Sequence, residues 1–223
     1  MKYIDFMSPI HKATKRDYLA RVNDVDYPKY KASEIAKKYD FDYWDGDRRI
    51  NYGGYKYMPG RWSPVADLMK STYGLKPGQK VLDIGCGKGF QMFELTQSVP
   101  GIEVFGVDFS KYAFDNAKEE IKENITVSCA SDLPFEDNYF DFVFSINTLH
   151  NLKIDKLFSA IKEINRVSKN NKYICVESYR NELEKQNLLY WQVTCESFYS
   201  PEEWEWIFKS NGYSGDYSFI YFE

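Results

Sequence analysis

The chain has 223 residues, 43% of them hydrophobic and 28% charged, with a net charge of −4. That is enough apolar content for one sizeable core, and it excludes a wholly disordered chain. The slight acidity offers no basic footprint for nucleic acid. Aromatics reach 18%, with 19 tyrosines, and crowd toward both ends, where they either line a pocket or extend the core. Cys86, Cys129, Cys175 and Cys195 are far apart and lack CxxC spacing, so neither a metal site nor a disulfide framework is expected. With no signal-like apolar run at the N-terminus and no stretch near ~18 apolar residues, the expectation is a cytoplasmic protein without membrane insertion.

Residues 1–40 are polar and helical in tendency. His11 to Val22 is weakly periodic, and Ser33 to Tyr39 reads as a helix with Ser33 at its N-cap. Residues 41–62 have neither a helical nor a strand period. They interleave Arg48, Arg49 and Arg61 with Tyr52, Gly53, Gly54, Tyr55, Tyr57 and Trp62. Planar cationic donors beside flat aromatic walls suit an anionic ligand. The bland alternative is a loop that packs its rings and leaves its charges in water. The stretch 1–62 is therefore expected to be a cap and substrate-pocket segment on a larger domain, 63–223. Ser63-Pro64 opens a helix that runs to Tyr73 and stops at Gly74.

Val81 to Ile84 is a short apolar run, followed by Gly85, Gly87 and Gly89 and then a helical pattern from Phe90 to Ser98. This is a strand, a glycine-rich turn and a helix start. A dinucleotide fingerprint, Gly-x-Gly-x-x-Gly, would place its third glycine where Phe90 stands. Asp83, two residues before the turn, suits a ligand carrying an ammonium group and repels a pyrophosphate. Glu103 to Val107 is the second strand, ending at Asp108 and Phe109. Asp108 lies ~21 residues past Gly87, the spacing at which a carboxylate meets ribose hydroxyls.

Ser110 caps a helix expected over Lys111 to Lys122, and Ile125 to Cys129 is the third strand. Ser131-Asp132-Leu133-Pro134-Phe135 follows, with Asp132 placed for an exocyclic amine beside Leu133. Phe140 to Ile146 is almost continuously apolar, as a strand covered on both faces should be, and it leads to Asn147 and His150. Ile154 to Ser168 is a helix, and Lys172 to Val176 is the fifth strand, leading to Glu177, Tyr179 and Arg180. Residues 181–200 read as an irregular insertion. A helix over 201–211 opens on Ser200-Pro201, and Tyr217 to Phe222 is a final strand. Strands alternating with helices imply an α/β fold, a mostly parallel sheet between two helical layers.

The ordered set Asp83 to Gly89, Asp108, Ser131 to Phe135 and Phe140 to Asn151 resembles the class I S-adenosylmethionine (SAM)-dependent methyltransferases, in their small-molecule, "methyltransferase domain 11" branch. The resemblance implies a three-layer, Rossmann-like sheet with an N-terminal aromatic and helical cap, and SAM as cofactor with S-adenosylhomocysteine as its product. It assigns Gly85, Gly87 and Gly89 to the methionine portion and Asp83 to the ammonium. Asp108 then meets the ribose, Asp132 with Leu133 the adenine, and Asn147 the sulfonium side, with Phe109 a further cofactor-binding residue. The family's sheet ends in an antiparallel hairpin. Only one strand follows the last helix here, so the hairpin is truncated or Tyr190 to Thr194 supplies the missing strand. The N-terminal block also looks similar to methyltransferases encoded with capsule or lipopolysaccharide genes, which suggests a surface-glycan building block as acceptor.

The expected reaction is O-methylation of a small, anionic metabolite, a phosphorylated or carboxylated sugar or a phosphoramidate-type precursor. Candidate bases are His150, Glu177 and Glu196, with Tyr179 as a hydrogen-bonding partner to the acceptor. Arg48, Tyr52, Tyr55, Arg61 and Arg180 are the candidate acceptor-binding residues, and no metal is expected. Two other readings stay open: a SAM-binding partner protein without catalysis, and an NAD-dependent oxidoreductase sharing the fold.

Overall fold

The computed structural model describes residues 1–11, 16–52 and 55–223. Gly53 and Gly54 of the aromatic stretch, and residues 12–15 of the first periodic segment, lie outside the described residues. Six strands form one sheet: β1 (Lys80–Ile84), β2 (Glu103–Asp108), β3 (Ile125–Val127), β4 (Phe140–Ile146), β5 (Ser168–Glu177) and β6 (Asp216–Ile220). Their order is β3-β2-β1-β4-β5-β6, and every pairing is parallel. The strand order reverses between β1 and β4, and in open α/β sheets ligands bind at the carboxyl ends beside such a reversal.

Among the described residues before position 63 there are four short helices: α1 (Ser8–His11), α2 (Tyr18–Val22), α3 (Lys29–Ala36) and α4 (Phe41–Trp44). Then come α5 (Ser63–Tyr73), α6 (Phe90–Ser98), α7 (Lys111–Asp115), α8 (Ile154–Val167), α9 (Glu182–Trp191) and α10 (Pro201–Ser210). Alternate residues of each strand feed opposite layers. Val81, Phe142, Phe144, Tyr173 and Cys175 join Met69 of α5, Met92 and Leu95 of α6 and Leu188 of α9. Leu82, Ile84, Val143, Ile174 and Val176 join Leu157, Ile161 and Ile164 of α8 with Trp204 and Phe208 of α10. A third cluster, Ala32, Ala36, Tyr43, Ile50 and Val193, ties α3 and α4 to the chain after α9.

The three-layer parallel sheet matches the expected fold class, and several boundaries differ for physical reasons. Residues 181–200 are not wholly irregular. Asn181 caps α9 by accepting from the Glu184 N–H, but only Glu184 and Leu188 of that helix are buried, so it carries almost no apolar period. The helix expected over Lys111 to Lys122 breaks after Asp115, because the Lys118 N–H turns to the Lys88 carbonyl at 3.0 Å, and a 3₁₀ turn, Glu119–Asn124, follows. Strand β5 begins at polar Ser168, which pairs with Phe140 across a register shift. Pro28 starts α3, so Ser33 lies inside it and donates its hydroxyl to the Val193 carbonyl.

The sheet edge is completed from the other end of the chain. Tyr190 belongs to α9, so Tyr190 to Thr194 is no strand. Instead Ile4 donates to Tyr217 at 2.9 Å and Tyr217 to Lys2 at 3.0 Å, making a parallel bridge at Tyr3. Phe6 follows at 1% exposure, packed on Tyr173 with ring centroids 4.7 Å apart. The first residues are thus part of the main core rather than of the cap.

Candidate active site

The turn after β1 is held by its neighbours. Gly85, Gly87 and Gly89 have φ of +81°, +55° and +77°, left-handed values that glycine adopts without strain. The missing side chains also make room. A Cβ at Gly85 would overlap Thr148, one at Gly89 would overlap Ile121, and one at Gly87 would lie 2.8 Å from the Trp44 ring. The Thr148 contact draws the Asn147–His150 turn against the glycine turn, so the carboxyl ends of β1 and β4 share one site. Asn147 itself has φ +56°, a left-handed conformation that asparagine tolerates.

Two carboxylates stand beside this turn. Asp83 is 5% exposed and receives no hydrogen bond among the described residues. Burial, then the neighbouring Asp108, pushes its pKa well above the ordinary value. Asp108 is also raised by burial, against hydrogen bonds from the Ser110 N–H at 2.9 Å and the Gly87 N–H at 2.8 Å. Each Asp108 oxygen keeps a free lone pair. A buried carboxylate without a donor fits an incoming ammonium, and two open acceptor positions fit adjacent hydroxyls. These residues therefore suit the amino-acid and ribose ends of SAM.

Helix α4 and the residue after it dock on the same turn. Trp44 donates its indole N–H to Ser110 Oγ at 2.9 Å and the Tyr39 carbonyl at 3.1 Å. Asp45 accepts from Lys88 Nζ at 2.7 Å and from Tyr112 at 2.9 Å. Burial would raise Asp45, yet these two donors hold it below its usual range. Lys88 is only 7% exposed, so the ion pair joins α4 to the glycine turn in a largely dry place. Phe109 is 53% exposed and meets Tyr39 edge to face at 4.9 Å. Asp132 is exposed, whereas Leu133 is buried in the layer of α8, its N–H given to Glu163 at 2.8 Å.

A second polar group lies at the carboxyl end of β5. Glu177 is 7% exposed and His150 2%. His150 Nδ1 accepts from the Glu177 backbone N–H at 3.4 Å, which leaves the proton on Nε2, 3.5 Å from Glu177 Oε2. Burial lowers the His150 pKa to about 3, so the ring is neutral. Burial lifts Glu177 to about 8, against Arg16 and a hydrogen bond from Gln192. Tyr52 continues the chain, donating to Gln192 at 2.6 Å and accepting from the Val193 N–H at 2.7 Å. Tyr55 packs between Tyr43 and Trp44, 5.2 and 4.7 Å away.

The other candidates scatter. Arg48 and Arg61 are exposed. Arg180 is exposed too and paired with Glu184 and Glu223, while Arg49 pairs with Asp47 at 2.7 Å. Arg49 and Arg180 are thus already paired with carboxylates. Tyr179 is half-buried with Lys185 over its ring at 5.0 Å. Glu196 pairs with Lys37 at 2.6 Å, leaving Glu177 the buried acid of the three proposed bases. Sequence reasoning missed Trp44, Asp45 and Lys88 as cap contacts, and it missed Arg16 and Arg21. Their signal, a basic residue beside a weak helix, is too common to single out.

Residues 82–176 match the family model described as "Methyltransferase domain". The demethylmenaquinone methyltransferase of Staphylococcus aureus is 34% identical over 151 residues, covering 61% of this chain and 62% of that protein. The chain thus spans less than two thirds of the length of that relative. Among solved structures, the YcgJ protein of Bacillus subtilis aligns with a TM-score of 0.53 at 24% identity, covering 66% of each chain. The MccD protein aligns with a TM-score of 0.53 at 22% identity, covering 70% of this chain and 72% of its own. These two likenesses are of fold.

Proposed function

We propose, from the premise that residues 82–176 form a class I methyltransferase domain, that this protein transfers a methyl group from SAM to a small acceptor held beneath its N-terminal cap. The observation that carries the reading is Asp83, a buried carboxylate with no donor among the described residues, at the turn where an NAD pyrophosphate would be repelled. SAM supplies a methyl carbon already activated by its sulfonium, so much of the protein's share is alignment and exclusion of water. The N-terminal segment 1–62, whose first residues join the main core, supplies the covering side chains Trp44 and Tyr55 as a cap. The body, 63–223, supplies the strand ends, with 181–200 returning over them.

The acceptor atom we assign is an oxygen, on a small anionic metabolite such as a surface-polysaccharide or phosphoramidate building block. A hydroxyl nucleophile needs its proton taken, and Glu177 Oε is the group for that. It is raised to about 8, close to the working range of a general base. Neutral His150 positions it by spending both ring nitrogens on Glu177. The test is calorimetric titration with S-adenosylhomocysteine and, separately, NADH. Tight binding of the first alone supports the reading. Binding of NADH alone, or of neither, sinks it.

A further inference from the structure

We infer that Arg16 and Arg21, set around Trp191, form a subsite for the anionic group of the acceptor, a carboxylate or a phosphate monoester. The word acceptor rests on the methyl-transfer reading above; the anion site itself does not. Arg21 is 9% exposed. Its guanidinium lies 4.7 Å from the Trp191 ring centre and 5.4 Å from that of Tyr52. Nη2 donates to the Asn51 carbonyl at 2.9 Å, and Nη1 is buried with no partner among the described residues. Arg16 lies 5.6 Å from Trp191 and 4.8 Å from Phe222. Its Nη2 donates to His11 Nδ1 at 3.2 Å, and its Nε is likewise buried and unpartnered.

Other arginines of this chain show what the pair lacks. Arg49, Arg166 and Arg180 each hold a carboxylate within 3 Å. Among the described residues, Arg16 and Arg21 make no ion pair. A guanidinium taken out of water without a counter-charge is costly, and its planar fork matches carboxylate and phosphate oxygens. Two such forks on one indole, each with a vacant buried donor, describe a site that an anion completes. Glu177 is near Arg16, but its carboxyl is already engaged by Gln192 and His150. Arg48 and Lys29 add positive charge around Arg21.

The place suits an acceptor. From Arg21 the contacts run through Tyr52 to Gln192 and on to Glu177, the base assigned above. Trp191 and Tyr52 pack against one another, 6.1 Å apart and inclined at 36°, with the Arg21 guanidinium against both rings.

The test is calorimetric titration of the full chain with phenyl phosphate, benzoate and neutral phenol, alongside S-adenosylhomocysteine. The expected result is that one or both anions bind and phenol does not, with the tighter anion naming the group. Arg21→Gln and Arg16→Gln should each weaken anion binding tenfold or more and leave S-adenosylhomocysteine binding unchanged. Arg21→Lys should fall between, keeping the charge and losing the fork. Should Arg21→Gln fail to fold, Arg16→Gln at its half-buried position carries the test. Anions that bind no tighter than phenol, or folded variants that bind them like the parent, overturn the subsite. Anion binding without S-adenosylhomocysteine binding keeps the subsite and removes the methyl-transfer reading; the reverse removes the subsite alone.

Discussion

Asp83 is 5% exposed, with Asp108 as its charged neighbour and no donor among the described residues. Burial of an unpaired carboxylate weakens the fold, and its persistence marks a position kept for a ligand. Asp83→Asn should therefore raise the melting temperature of the ligand-free protein near neutral pH and cost at least tenfold in S-adenosylhomocysteine affinity. Thermal melts with and without the ligand read both effects; a variant less stable without ligand would contradict the account. Gly85 makes the opposite case. Its φ of +81° and the Thr148 side chain leave no room for a Cβ. Gly85→Ala should destabilise by about 2 kcal/mol or more, from left-handed strain plus overpacking, and Thr148→Ala in the same chain, which removes the two side-chain atoms nearest the added Cβ, should recover only part of the overpacking share. Urea midpoints at unchanged slope check this.

At the scale of elements, the glycine turn and α4 behave as one unit through Trp44 on Gly87 and Asp45 on Lys88. Asp45→Asn leaves a buried ammonium without its counter-charge. The expected loss is on the order of 2 kcal/mol, below the ~3–5 of a fully buried pair because Asp45 is partly wet. Adding Lys88→Met should return part of it, and a double variant as unstable as the sum would deny the pairing. This contact also shows what was legible in the sequence. The strands β1, β2 and β4, helix α6 and the acid at the end of β2 follow from local runs, spacing and turn chemistry. The cap does not, because Trp44 and Lys88 are far apart in sequence and neither sits in a periodic segment. Helix α9 has two buried residues and no apolar stripe. The parallel edge at Tyr3 pairs the two ends of the chain. Arg16 and Arg21 hide for the same reason: their burial is tertiary.

For the whole molecule, the buried groups set how stability responds to pH. His150 falls from 6.5 in the unfolded chain to about 3 in the fold. Between those values only the unfolded chain takes the proton, so this contribution is lost as pH falls through that window. Glu177 rises from 4.5 to about 8. Between those values only the unfolded chain gives up the proton, so this contribution is lost as pH rises. Each slope is at most ~1.4 kcal/mol per pH unit. The two oppose one another between pH 4.5 and 6.5, and above 6.5 only Glu177 of this pair still acts. Stability should therefore be flat on the acid side of neutrality and fall from about pH 6.5 to about 8. Glu177→Gln should flatten that fall, with its advantage over the parent growing with pH, as melting temperatures across the range will read. Methyl transfer to a hydroxyl acceptor should move oppositely, rising toward pH 8 as Glu177 ionises and losing that rise in the variant. An unchanged stability slope in Glu177→Gln would mean that Glu177 does not titrate there, and would remove it as the base as well. The group that weakens the fold as the pH rises is thus the one whose ionised form the proposed reaction requires.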